Sequence, residues 1–241
     1  MSTYADAYVA FRKAEREAVL FDNSDWHRRA VHDERIKRLE SARETLEKAM
    51  PAPAATDISA VQEKAADALR SLRPANADAV AVTSNEWAKV EARLNAGQNL
   101  AKLIEAADRE TLSAVIDRMP TRLVSTSPEP EDAIAEIEAL AVRRLAELGD
   151  ETAASAIAAQ RTASVASAWG AILEQASTRH SITADASALL YNADVDEWRA
   201  TLAETPQDDH LIEQAIREVG ANLDFGGSPF ETASGGLDGT R

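Results

Sequence analysis

The sequence predicts an all-α protein, and three observations carry that prediction. About one residue in five is alanine, mixed with Glu, Arg and Leu, which are strong helix formers. Aromatic residues make up only 5 % of the chain, so the core must be built from Ala, Leu, Ile and Val. Apolar positions recur at spacings of three and four and are interrupted at Pro, Gly and Asp/Asn clusters. A chain of 241 residues accommodates one large or two modest helical domains.

Residues 1–50 read as an amphipathic helical hairpin with coiled-coil-like character. Tyr4, Ala7, Phe11, Ala14, Ala18 and Phe21 place one apolar seam on a single helix face. Asp22-Asn23-Ser24-Asp25 breaks that seam and supplies caps for a second helix, whose stripe is Ile36, Leu39, Leu46 and Met50. The stretch from Trp26 to Arg35 is mostly polar. Residues 51–57 open with Pro-Ala-Pro and form a linker, because proline cannot propagate a helix from its interior.

Residues 58–119 form a helical segment. A helix over 57–72 ends at Arg73-Pro74. Thr83 and Glu86 have capping-box spacing and open a helix over 86–106, with another running through Met119. Residues 120–130, containing Ser-Thr-Ser-Pro-Glu-Pro, read as a second linker and as a domain boundary. An acidic helical bundle follows over 131–219. Ile134, Ile137, Ala141, Leu145 and Leu148 share one helix face, Gly149 stops that helix and Asp150 caps the next. From Thr152 to Ala176 small residues dominate, which lets helices approach closely and suits a central position in a bundle. Asp194 with Glu197, and Thr205 before Pro206, mark two further helix starts, the last helix covering 207–219. Residues 220–241, rich in Gly and Ser, read as a flexible, disordered tail.

Charge is segregated along the chain. Residues 1–50 hold 10 basic and 10 acidic side chains, and residues 51–128 hold 9 and 10. Residues 129–241 hold 7 and 21, which is 14 of the 15 net negative charges, and no lysine follows Lys102. Such a charge disfavours direct binding of DNA or RNA phosphates. It suits contact with basic surfaces or simply keeps the protein soluble. No cysteine occurs, so disulfides, thiolate metal sites and a cysteine nucleophile are excluded. Neither a signal peptide nor a membrane span is legible, and a cytoplasmic location is expected.

Catalytic signatures are few. His27 and His32 lie five apart, about 140° round a helix, and cannot chelate one metal from a single face. His210 precedes Glu213, whereas the di-iron bundle motif needs Glu before His, twice. The dipeptide His32-Asp33 resembles that of HD-type phosphohydrolases, which also need a distant upstream histidine that this chain lacks. All-α nucleotide pyrophosphohydrolases pair Glu-x-x-Glu with Glu-x-x-Asp to hold magnesium. Glu44 with Glu47, and Glu105 with Asp108 or Glu147 with Asp150, reproduce the spacings but not the separation, and Glu-rich solvated helix faces generate such pairs freely. Phosphate-binding Gly-rich loops, Gly-x-Ser-x-Gly and His-Glu-x-x-His are absent. The expectation is therefore no catalytic, cofactor or metal residues.

Two features point to partners. Arg28, Arg29, His32, Arg35 and Arg38, with His27 and Lys37, form a basic block suited to phosphate, to an acidic helix or to the chain's own acidic half. Phe225 and Phe230, with Leu223 and Leu237, sit in the tail as a candidate linear motif that orders on a partner. The chain's helical, acidic, Ala-rich character is similar to that of phage or bacterial assembly scaffolds and chaperones, a likeness of composition only. The expected function is that of a non-enzymatic assembly or adaptor protein acting through protein contacts, including homo-oligomerisation. The alternatives are an acidic regulator covering the basic surface of a nucleic-acid-binding protein, and a metal-dependent hydrolase using Glu44, Glu47 and Glu105.

Overall fold

The structure, a computed structural model, describes residues 2–179 and 182–206. Among these residues there are ten α-helices, one 3₁₀ turn and no strand, so the protein is all-α. The expected helix over 207–219 and the tail with Phe225 and Phe230 lie outside the described residues. Among the described residues, no helix is long and apolar enough to cross a membrane.

The chain divides into two compact units. The first contains residues 2–50, 172–179, 182–184 and 195–206, and the second contains 51–171 and 185–194.

In the first unit, α1 (Thr3–Leu20) packs on α2 (Arg28–Lys48) and on α10 (Val195–Glu204). Ser2 caps α1 by accepting from the Ala5 N–H, and its own N–H donates to Glu197 of α10 at 2.7 Å. Because α1 meets two helices, its buried face is wider than the expected seam. Ala5, Tyr8, Val9, Phe11, Arg12, Glu15, Ala18 and Val19 are buried, whereas Tyr4, Ala7, Ala14 and Phe21 are only half-buried. On α2, Leu39 and Leu46 are buried as expected, together with Val31 and Ala42, while Ile36 and Met50 are half-buried. The polar cluster Asp22–Asp25 breaks the chain but does not cap α2. Asn23 instead accepts from the Asp25 N–H, a local turn, and His27 occupies the N-cap without a side-chain bond.

In the second unit, a 3₁₀ turn at Pro53–Thr56 leads into α3 (Ile58–Arg70), capped by Asp57. Here the capping-box expectation is overturned. α4 runs Ala77–Asn95, starting at Asn76, whose side chain accepts from the Ala79 N–H. Thr83 is therefore mid-helix and buried. Asn76 already provides a cap, and nothing between Ala77 and Thr83 breaks a helix. The expected 86–106 helix is also split. Gly97, at φ +84°, ends α4, its N–H donating to Leu94, and Asn99 caps the short α5 (Leu100–Glu105).

α6 (Arg109–Thr126) passes straight through Pro120, so residues 120–126 are helix rather than linker and only Ser127–Glu129 separate α6 from α7. Proline removes one backbone bond, but Met119 and Leu123 on either side pack into the core, and the Arg122 guanidinium ties this turn to Glu91 and Asn95 of α4. α7 (Pro130–Glu147) begins with proline in its first turn and buries Ile137, Ala141 and Leu145. Gly149, at φ +90°, and the Asp150 N–H donating to the Leu145 carbonyl close α7, after which Asp150 caps α8 (Glu151–Arg179) through the Ala153 N–H. The core of this unit joins Leu72, Val90, Ile104, Leu112, Val115, Leu145, Ala153 and Ala156. α9 (Ala184–Ala193) was not legible in the sequence pattern. It buries only Ala186 and Leu190, too few positions to declare a face.

Candidate functional site

The turn between α1 and α2 brings cations and aromatic rings together. Phe21 ends α1, and Trp26 leans on it edge-to-face with ring centroids 5.8 Å apart. The Arg38 guanidinium lies 4.0 Å from the Phe21 ring centroid and pairs with Glu34 at 2.9 Å. Arg35 donates from Nε to the Phe21 carbonyl at 2.7 Å, satisfying a carbonyl that the end of α1 leaves open. Of the five α2 residues singled out from sequence, Arg35 and Arg38 thus brace the turn from within. Arg28 and Arg29 are exposed in the first turn of α2, and His32 is half-buried one turn on. Lys37 is exposed as well. Among the described residues Arg28, Arg29 and Lys37 make no ion pair, and Trp26 remains 45 % exposed. Sequence reasoning missed Trp26 and Phe21 as parts of this surface. The available signal was a lone tryptophan in a stretch with no apolar face to join.

The carboxylates weighed for metal binding lie on helix surfaces or at helix ends. Glu44, Glu47 and Glu105 are all exposed, the first two on α2 and the third at the end of α5. Asp108 and Asp150 are helix caps, accepting from the Thr111 and Ala153 N–H groups at 2.9 and 3.0 Å. These bonds hold both carboxyls below the ordinary carboxylate range, and Arg109 adds to the effect at Asp150. No group of three or more His, Asp or Glu side chains among the described residues could hold a metal ion.

The second unit carries an open groove of about 320 Å³ between the α3–α4 turn, α4 and the start of α6. A hydrogen-bond relay forms its floor. Ser113 donates to the Leu72 carbonyl at 2.6 Å, which uses its only proton, so the Thr83 hydroxyl 3.3 Å away is the donor to Ser113. Arg109 is held across the rim by two bonds, to Asp150 at 3.1 Å and to Ser71 at 2.9 Å. Arg73 and Glu110, both exposed, stand on the rim without an ion pair among the described residues. Pro74, Ala79 and Val82 supply an apolar wall. Thr83 and Ser113 are 30 positions apart in sequence and Leu72 and Ser113 are 41 apart, beyond the reach of any local pattern.

Neither the models of protein families, nor the curated proteins, nor the solved structures contain a match to this chain.

Proposed function

We propose that this chain is a non-enzymatic helical assembly or adaptor protein that self-associates, the basic, tryptophan-bearing turn of its N-terminal hairpin docking on the acidic half of a second copy. One observation carries this reading: Trp26 is exposed just ahead of Arg28 and Arg29 at the start of α2, which the described residues leave without ion pairs, in a chain that concentrates 14 of its 15 net negative charges beyond residue 128. An exposed aromatic ring among unneutralised arginines has the make-up of an interface anchor, since Trp and Arg dominate interface hot spots. The opposite charge needed to receive it is present in the same polypeptide. The partner is protein rather than nucleic acid, and the cytoplasm is the compartment this reading assigns.

The test is solution mass by light scattering after size exclusion, at low and high salt. It is run on the full-length protein, on the Trp26→Ala/Arg28→Glu/Arg29→Glu variant and on a truncation ending at Gly220. The expected result is an oligomer that weakens with salt and is lost in the variant. A monomer at both salt concentrations overturns the reading. Dissociation of the truncation alone assigns the receiving acidic segment to residues 221–241, where Phe225 and Phe230 lie.

A second reading is favoured by α7, whose Glu131, Asp132, Glu136 and Glu138 are exposed and form no ion pair among the described residues. An acidic regulator would present this face to a basic protein. It would be monomeric alone and form a complex that dissociates as salt rises.

A further inference from the structure

The groove of the second unit is chemically differentiated in a way the assembly reading does not use. Its floor offers lone pairs rather than protons. Ser113 and Thr83 spend their hydroxyl protons inward, and Ser71 donates to the Ala68 carbonyl at 2.7 Å while accepting from Arg109. A ligand seated there must therefore bring donors of its own. On the rim, Arg73 offers a guanidinium and Glu110 a carboxylate that form no ion pair among the described residues, so the groove presents both signs of charge. The wall is aliphatic, and Val82 is 48 % exposed, a large apolar side chain left facing solvent. At about 320 Å³ the groove is at the small end of ligand sites.

We propose that this groove binds a small aliphatic α-amino acid. Its carboxylate pairs with Arg73, with the pinned Arg109 adding positive charge. Its ammonium donates to the Thr83 and Ser113 oxygens and pairs with Glu110. Its side chain covers Val82 and Pro74. An amino acid answers each feature at once: a donor-rich cation for the lone pairs and the acid, an anion for the arginine, and an apolar group for the wall. A simple fatty acid leaves the lone pairs and Glu110 unanswered. A phosphate leaves the aliphatic wall uncovered and adds negative charge beside Glu110.

The experiment is calorimetric titration of the full-length protein with L-leucine, with leucinamide, which lacks the carboxylate, and with 4-methylpentanoate, which lacks the amine. L-leucine is expected to bind saturably in the millimolar range or tighter, and both analogues more weakly. Arg73→Ala should weaken leucine about tenfold or more, and Glu110→Gln should weaken leucine without affecting 4-methylpentanoate. Both side chains are exposed, so their loss leaves the fold in place, which circular dichroism verifies. Absence of saturable leucine binding overturns the proposal. So does equal binding of leucine and leucinamide, or an Arg73→Ala protein that binds leucine as the wild type does.

Discussion

Arg12 and Glu15 form an ion pair one turn apart on α1, 2.7 Å between Nη1 and Oε2, with side-chain exposures of 5 % and 0 %. A charge pair inside a helical core is paid for in desolvation, and its effect on stability depends on what replaces it. The pair lies on the face of α1 that contains Tyr8, Val9 and Val19. Both residues belong to the wide face that α1 buries against two helices, and an apolar seam read from sequence misses them because it passes over charged positions.

Removing one partner of this pair should be far worse than removing both. Glu15→Ala is expected to destabilise the protein by roughly 3–5 kcal/mol, whereas Arg12→Met/Glu15→Leu should lose less, its remaining loss coming from the half-buried Arg43, whose charge Glu15 also offsets. Urea denaturation followed by circular dichroism measures both; equal losses in the two proteins would contradict this account.

Asp150 joins two helices by capping α8 and holding Arg109. Asp150→Ala is expected to cost about 1 kcal/mol at pH 7, the usual worth of a cap. The carboxyl is depressed in the folded state, chiefly by the Ala153 N–H and then by Arg109. Its contribution is therefore complete above the unfolded value, about 3.9, and is lost as pH falls through the lower folded value. Asp108 titrates in the same sense. The Asp108→Ala/Asp150→Ala protein should be weaker than wild type at pH 7 and lose less on acidification. Urea midpoints at pH 7 and pH 3 report the difference; an unchanged pH dependence would rule the two caps out as its source.

Gly149 sits at φ +90° with nothing within 4 Å of an added Cβ. Gly149→Ala thus isolates the backbone cost of the left-handed conformation, about 1–2 kcal/mol, without a steric contribution. Thermal denaturation should show the loss. A neutral result would mean that the α7–α8 turn readily adopts another geometry.

Pro120 removes a backbone bond from the interior of α6. Pro120→Ala restores the donor, and a gain of roughly 1–3 kcal/mol is expected, reduced from the full helix propensity difference by the burial the ring gives up. Hydrogen exchange at residue 120 would show slow exchange if the new bond forms, and fast exchange would refute it.

The helical class and several helix ends were legible because their signals are local. Asp150, Gly149 and the end of α3 before Pro74 each act on backbone groups within a few residues, so their chemistry is complete in a short window of sequence. The same locality misled at Thr83, where correct capping spacing lost to Asn76 upstream, and at Pro120, where packing on both sides carried the helix through. The basic block was visible as composition. Its division into bracing residues, Arg35 and Arg38, and outward residues, Arg28 and Arg29, was not.

That division, the burial of Arg12 with Glu15, the second face of α1 against α10, and the meeting of Arg73, Thr83 and Ser113 in one groove were decided by tertiary structure. Helix formation and capping depend on backbone bonds spanning about four residues, which sequence order specifies directly. Burial and site assembly depend on which helix lies alongside, and that identity is set by packing between segments tens of residues apart.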